Sequence, residues 1–206
     1  MPLPVDFNIY LITDRHQVPA GHTLFSTIEA ALRGGIKAVQ LREKDLSAAE
    51  LLPLAYEIRA MTHLYGARLM INDHVDIALA VGADGVHLGG HSRPTEVVRR
   101  QIGTKMLIGV STHNRGEILT ACSRGADFVT FGPVYATPSK AAYGAPQGLN
   151  VLAEVCRNSP LPIFALGGIN QERAAKVRQA GAYGIALISA IIGSSSPEFA
   201  AKAFSP

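Results

Sequence analysis

The sequence has no tryptophan, two cysteines and a low share of charged residues. Of its 206 residues, 17% are Asp, Glu, Lys or Arg and 48% are hydrophobic. Two cysteines cannot build the disulfide framework of a small secreted domain, and Cys122 and Cys156 lie in no metal-binding motif. We therefore expect inert core thiols in a reducing compartment. No signal peptide precedes the first predicted strand and no apolar run reaches about 18 residues, so a cytoplasmic protein without a membrane span is expected.

Strong charge of either sign is also missing. The formal net charge is +3, and Arg99 and Arg100 form the only adjacent basic pair. A nucleic-acid surface needs a basic patch or stripe, and the scattered Lys and Arg residues of this sequence do not predict one. The balance suits a small anionic substrate instead, and no nucleic-acid or membrane partner is expected.

Short apolar runs alternate with segments of helical periodicity along the whole chain. The alternation predicts eight strand–helix units, and hence a single-domain (β/α)₈ barrel over residues 1–206. A doubly wound open sheet is the alternative, although the G-x-G-x-x-G fingerprint is absent. The predicted strands are Ile9–Thr13, Ala38–Arg42, Arg68–Asn72, Gly85–Leu88, Leu107–Ser111, Phe128–Phe131, Ile163–Leu166 and a run within Tyr183–Ala190. The predicted helices are Leu24–Arg33, one capped by Ser47 and Glu50, Val75–Val81, Pro94–Ile102, Arg115–Ser123, Leu149–Arg157, Gln171–Gln179 and one from near Pro197.

An internal repeat supports the barrel. Similar segments that begin with glycine and end in Val or Ile lead into each even-numbered strand, at Gly35, Gly82, Gly125 and Gly181. Recurrence after every second unit favours one closed, quasi-symmetric sheet over two domains.

The segment Pro162–Asn170 joins a buried strand to a helix through Gly167 and Gly168. Glycines leave backbone N–H groups accessible, and Ser189 ends the next buried run. The two strand ends together predict a cup for a phosphate group. A tight turn without a ligand is the alternative.

Polar side chains follow nearly every predicted strand, where barrel enzymes carry their chemistry. Arg42, Lys44 and Lys140 are expected beside Asn72 and Asp73. Three cations and an amide around one carboxylate suit a pyrophosphate with a divalent metal. The other polar residues at strand ends are Thr13, Gln40, His87, Ser92, Ser111, His113, Thr137 and Ser139.

Six segments resemble the signature motifs of the thiamine-phosphate synthase and TenI superfamily, over practically the whole chain. They are residues 39–44 (VQLREK), Asn72-Asp73, 85–89 (GVHLG), 109–113 (GVSTH), 131–140 (FGPVYATPSK) and 165–169 (ALGGI). The resemblance implies a (β/α)₈ barrel, small phosphorylated substrates and a small homo-oligomer. Synthases of this family join a pyrimidine pyrophosphate to a hydroxyethylthiazole phosphate, and TenI-type members isomerise a thiazole phosphate carboxylate.

Site roles follow from the resemblance, position by position. It implies that Asp73 binds Mg²⁺. It also implies a dissociative reaction, in which pyrophosphate departs, a pyrimidine-stabilised cation remains, and the thiazole nitrogen captures that cation. The pyrophosphate would contact Arg42, Lys44, Asn72 and Lys140, with Arg42 and Lys140 acting in catalysis. Gln40, Ser111, Thr137 and Ser139 would line the substrate pocket, and Gly168 and Ser189 would bind the thiazole phosphate.

One position departs from the synthase pattern. Ser92 stands where synthases carry a second metal-binding Asp, and a neutral hydroxyl is a poorer Mg²⁺ ligand than a carboxylate. Mg²⁺ is therefore expected to bind weakly, through Asp73 with Ser92 beside it, or not at all. TenI-type tautomerases have Ser at this turn, and a tautomerase needs only a proton carrier, for which His113 is the candidate. His113 as a helix cap and a non-catalytic thiazole-phosphate-binding module are further alternatives.

Overall fold

The computed structural model describes residues 4–137 and 145–204. Eight parallel strands close into a barrel in chain order, with helices between them. The predicted (β/α)₈ barrel is thus confirmed. The strands are β1 Ile9–Ile12, β2 Ala38–Leu41, β3 Arg68–Asn72, β4 Gly85–Leu88, β5 Leu107–Thr112, β6 Phe128–Phe131, β7 Ile163–Leu166 and β8 Gly184–Leu187.

The helices agree closely with the periodicity of the sequence. They are α1 Leu24–Arg33, α2 Ala48–Leu64, α3 Val75–Val81, α4 Thr95–Ile102, α5 Arg115–Ser123, α6 Gly148–Arg157, α7 Gln171–Gln179, α8 Ser189–Ile192 and α9 Pro197–Lys202. Ser47 caps α2 and forms the predicted reciprocal pair of hydrogen bonds with Glu50. A short 3₁₀ helix covers Arg15–Gln17, where the sequence suggested a loop.

Four strand ends differ from the predictions. β2 ends at Leu41, one residue before the predicted Arg42. β1 ends before Thr13 because the Thr13 hydroxyl accepts the N–H of Arg42 at 2.9 Å. Its side chain is therefore part of the connection between two strands. β5 continues to Thr112, one residue further than predicted. Ser189 does not end a strand but begins α8.

The strands are buried on both faces, as parallel sheets are when helices cover them. Every residue of β1, β2, β4, β6 and β8 is buried. Phe7, Phe128 and Phe164 form an aromatic cluster with ring centroids 5.2 to 5.6 Å apart. The two cysteines are only partly buried, so the expectation of core thiols is wrong in that respect. Burial raises the pKa of Cys156 to about 11, which keeps this thiol protonated and unreactive.

The repeated glycines occupy a backbone conformation that other residues rarely adopt. Gly35, Gly82, Gly125 and Gly181 have φ angles between 62° and 99°. Each ends a helix and turns the chain into the next strand, so the repeat has a conformational origin.

By contact density the chain divides into two compact units. The first comprises Met1–Asn8 and Leu88–Ala186, and the second comprises Ile9–His87 and Leu187–Pro206. The expectation of a single domain stays a prediction. No helix in the described part of the chain combines the length and hydropathy needed to cross a bilayer.

Candidate active site

In the unit formed by residues 9–87 and 187–206, the ends of β2 and β3 border a cavity of about 200 Å³. Three predicted site residues, Lys44, Asn72 and Asp73, line it together. Strands β2 and β3 are paired in register from Ala38 with Arg68 to Leu41 with Ile71, which brings these ends side by side. The other lining residues are Leu41, Glu43, Leu51 and His74.

Asp73 has an unusual backbone conformation. Its φ of 61° lies in the left-handed region, which costs a residue other than glycine about 1 kcal/mol or more. Its N–H donates to the carbonyl of His87 at 3.0 Å, and the Asn72 side-chain amide donates to its Oδ2 at 2.7 Å. The chain therefore holds this carboxylate in one orientation at the cost of local strain.

Arg42 and Lys44 bring positive charge to the same strand end. Among the described residues, neither side chain forms an ion pair or a hydrogen bond with a carboxylate. By contrast, nearby Arg15 binds Asp45 through two bonds of 2.6 Å. The charges of Arg42 and Lys44 are thus available to an anionic ligand.

Beneath these residues lies a buried polar network. Gln40, which is 1% exposed, donates to the Tyr10 hydroxyl at 2.9 Å, and that hydroxyl lies 3.4 Å from Nδ1 of His87. Burial, assisted by the charge of Arg42 and opposed by that of Asp73, lowers the pKa of His87 to about 3. His87 is therefore neutral at physiological pH. The structure directs Gln40 into this network, and its contact with substrate stays a prediction.

In the other unit, a cavity of about 550 Å³ brings together Ser92, Ser111 and His113. The Ser92 hydroxyl accepts the N–H of Gly89 at 2.6 Å and so closes the turn after β4. His113 is half exposed and its Nδ1 lies 3.2 Å from Oε2 of Glu117.

His113 does not cap α5. Asn114 does, since its side chain accepts the N–H of Glu117 at 2.9 Å. The alternative of a capping histidine is wrong.

The predicted phosphate loop has the glycine-dependent geometry that the sequence suggested. Gly167 and Gly168 have φ angles of 103° and 63°. A Cβ at Gly168 would lie 2.7 Å from the carbonyl oxygen of Ala136 and 2.8 Å from Cβ of Tyr135, so no larger residue fits. Thr137 is partly buried at the edge of the described region, and Ser139 and Lys140 lie outside the described residues.

Known proteins match this chain over nearly its full length. The model of the thiamine monophosphate synthase family matches residues 9–191. A Geobacter sulfurreducens protein, itself provisionally assigned as a thiamine-phosphate synthase, is 55% identical and aligns over 97% of this chain and 93% of its own. A Roseiflexus thiamine-phosphate synthase is 44% identical over 95% of this chain and 82% of its own. A solved structure, that of a Pyrococcus furiosus thiamine phosphate pyrophosphorylase, superimposes with a TM-score of 0.87 at 34% sequence identity, covering 96% of this chain and 93% of that one.

The chain belongs to the thiamine monophosphate synthase family. The predicted family resemblance is confirmed. Residues 9–191 include every candidate site residue, so the family match covers the strand ends of both units.

The residues present are compatible with the Mg²⁺ that the family resemblance implies. The described part of the chain has no cluster of three or more Asp, Glu, His or Cys residues able to hold a metal by themselves. Mg²⁺ does not need one, because it commonly binds one or two carboxylates together with substrate phosphates and several waters. Asp73, oriented by Asn72 and bordering a cavity, supplies such a carboxylate.

Sequence reasoning missed three residues near these groups. Glu43 lines the cavity beside Asp73, its side chain is 1% exposed, and its Oε1 has no partner among the described residues. Tyr135 and Arg173 pack together beside Gly168. Glu43 belongs to the family-like segment of residues 39–44, but no local sequence pattern indicated a site role for Tyr135 or Arg173.

Proposed function

We propose that this protein is a thiamine-phosphate synthase, which joins hydroxymethylpyrimidine pyrophosphate to hydroxyethylthiazole phosphate and releases pyrophosphate. The observation that carries the proposal is the strand end with Arg42, Lys44 and Asp73. There, two cations without a carboxylate partner among the described residues accompany an aspartate whose backbone is strained and whose carboxylate is oriented by Asn72. Relatives named thiamine-phosphate synthases at 44% identity over most of the chain support it.

In this proposal, the residues after β2 and β3 act on the leaving group. Arg42, Lys44 and Lys140 neutralise the oxygens of the departing pyrophosphate, which lowers the barrier to breaking the carbon–oxygen bond. Asp73 would hold Mg²⁺, which would supply further charge stabilisation to the pyrophosphate. Asn72 keeps the Asp73 carboxylate in place through the 2.7 Å hydrogen bond between them.

The remaining candidate residues bind and align the second substrate. Gly168 and Ser189 hold the thiazole phosphate, so that the ring nitrogen is positioned for attack. Gln40, Ser111, Thr137 and Ser139 contribute to the substrate pocket. Ser92 would offer a neutral oxygen in place of a second carboxylate, which predicts weaker Mg²⁺ binding than a second aspartate would give. A small homo-oligomer, as the resemblance implies, remains part of the proposal.

A coupled assay tests this function. Both substrates with Mg²⁺ should give thiamine phosphate and pyrophosphate, and chelation of the metal should stop the reaction. Asp73→Ala should abolish product formation, whereas Ser92→Asp should preserve or raise it and lower the Mg²⁺ concentration for half-maximal rate. Ser92→Asp can still accept the Gly89 N–H, so its turn should stay intact. Product formed at equal rates with and without Mg²⁺ would contradict the proposed metal role.

One observation favours a second function, the tautomerisation of a thiazole phosphate carboxylate. Ser92, Ser111 and the half-exposed His113 line one cavity, and Glu117 holds one nitrogen of the histidine while the other can exchange protons. Rapid conversion of the tautomer, lost in His113→Ala and independent of Mg²⁺, together with no condensation, would establish this alternative.

A further inference from the structure

Arg173, in the first turn of α7, is bonded to the glycine turn that precedes its own helix. Its Nη1 donates to the carbonyl oxygen of Gly168 at 2.7 Å. Its guanidinium carbon lies 4.6 Å from the centre of the Tyr135 ring, within the range of a cation–π contact. Its own N–H donates to the Asn170 cap at 2.9 Å, so backbone and side chain are both fixed.

The bond to Gly168 determines where the next N–H points. The carbonyl of Gly168 and the N–H of Ile169 belong to one planar trans peptide, in which the two groups point in opposite directions. When Arg173 binds the carbonyl, the Ile169 N–H must face away from Arg173. Among the residues that the structure describes, no acceptor is bonded to the N–H groups of Gly168 or Ile169.

The other side of the turn is held as well. The N–H of Val134 donates to the carbonyl of Leu166 at 2.8 Å, and the N–H of Tyr135 donates to that of Gly167 at 3.1 Å. The Tyr135 ring then lies under the guanidinium of Arg173. The turn is thus fixed between a backbone pairing and one arginine side chain.

We propose that Arg173 is a positioning residue for the phosphate monoester of the thiazole substrate. It orients the Gly168–Ile169 peptide so that consecutive N–H groups converge on the phosphate, and it adds a positive charge behind the turn. This inference rests on the proposed function, because it takes the thiazole phosphate as the ligand of this turn. It assigns no role in binding the pyrimidine pyrophosphate.

The test is the effect of Arg173→Ala on the two substrates separately, in the full chain. We expect the KM for thiazole phosphate to rise about tenfold, which corresponds to about 1.4 kcal/mol. The KM for pyrimidine pyrophosphate and kcat should change less than about twofold. Arg173→Lys should recover part of the loss, since an ammonium group can still donate to the Gly168 carbonyl but loses the planar stacking on Tyr135.

Lys176→Ala is the matched control. It removes the same charge from the same helix, but Lys176 is exposed and pairs only with Glu172 among the described residues. Its KM values should equal those of the wild type. An equal rise of the KM for thiazole phosphate in Arg173→Ala and Lys176→Ala would show that only net charge matters, and would overturn the proposal. A parallel rise of both KM values in Arg173→Ala would overturn it as well.

Direct calorimetric titration with thiazole phosphate separates this inference from the proposed function. Tenfold weaker binding by Arg173→Ala supports the inference even if the wild type forms no thiamine phosphate, which would refute the synthase activity alone. Equal binding by wild type and Arg173→Ala, or no binding by either, overturns the inference.

Discussion

Asp84 and Asp73 lie at opposite ends of neighbouring strands in one unit, and they have different partners. Asp84 precedes β4, where its Oδ2 accepts the N–H of Leu69 at 2.8 Å and its carboxylate binds Arg59 at 2.6 Å and Arg68 at 3.3 Å. Asp73 follows β3, in a strained conformation and beside a cavity.

The unit of residues 1–8 and 88–186 repeats the arrangement seen at Asp84. Asp127 precedes β6, accepts the N–H of Ile108 at 2.7 Å and binds Arg99. The aspartate of each Gly-Ala-Asp motif lies at the amino end of its strand. Its carboxylate links that strand to a helix and to the neighbouring strand. At these amino ends, charges are neutralised within the protein and stabilise the fold. Arg42 and Lys44, at a carboxyl end, have no carboxylate partner among the described residues, and we propose that they bind a ligand.

The largest effect should come from removing a cation at the carboxyl end. We expect Arg42→Ala to lower kcat/KM for the condensation by about 10²- to 10³-fold, because a charged contact to the leaving pyrophosphate is lost. Its free energy of unfolding should not fall, since Arg42 pairs with no carboxylate among the described residues. Steady-state kinetics and urea unfolding check both parts. A stable variant with full activity would remove Arg42 from the site.

At the amino end the same kind of change should affect stability. Asp84→Asn leaves two partly buried arginines without their carboxylate, and we expect a loss of about 3 kcal/mol in the free energy of unfolding. Asp127→Asn should behave similarly in the other unit. Both variants, once folded, should keep the wild-type KM for each substrate. A change in KM without a loss of stability would contradict a purely structural role for the amino ends of the strands.

The buried network under the carboxyl end predicts a dependence of stability on pH. His87 has a pKa of about 3 in the folded protein and about 6.5 when unfolded. The unfolded chain therefore binds a proton that the folded one does not, and stability is lost as pH falls from about 6.5 towards 3. Between pH 6.5 and 5 the loss should be at most about 2 kcal/mol. Urea unfolding of His87→Gln should show a flatter pH profile, and an equally steep one would contradict this assignment.

The smallest effect is expected at Tyr135, beside the glycine turn. Its hydroxyl is buried and has no partner among the described residues. Removal of an unpaired buried hydroxyl should leave stability unchanged or raise it by up to about 1 kcal/mol. Thermal unfolding of Tyr135→Phe tests this, and a marked drop in melting temperature would indicate a hydrogen-bond partner for the hydroxyl.

The sequence was informative where structure depends on near neighbours. The capping pair of Ser47 and Glu50, the bounds of α1, α3 and α7, and the left-handed glycines all follow from local patterns. The strand–helix alternation then predicts the barrel. The departure of Ser92 from the synthase pattern was also visible in the sequence, because it follows closely on the contiguous motif of residues 85–89.

Distant contacts were not predictable in the same way. The hydroxyl of Thr13 binds the N–H of Arg42, 29 residues away, and Gln40 reaches Tyr10 across the sheet. Both residues looked like site residues because they lie at a strand end, although Thr13 bonds to backbone and Gln40 is buried. The side-chain bond from Arg173 to Gly168 depends on how α7 is placed against the turn, which periodicity does not reveal.

Calorimetric titration of pyrophosphate into the protein, with Mg²⁺ and with chelator, tests the central claim most directly. The account predicts binding that requires Mg²⁺, weakens at least tenfold in Arg42→Ala and Asp73→Asn, and is unchanged in Asp84→Asn. Equal affinity in all four proteins, or binding that ignores the metal, would contradict the assignment of the β2 and β3 ends as the pyrophosphate site.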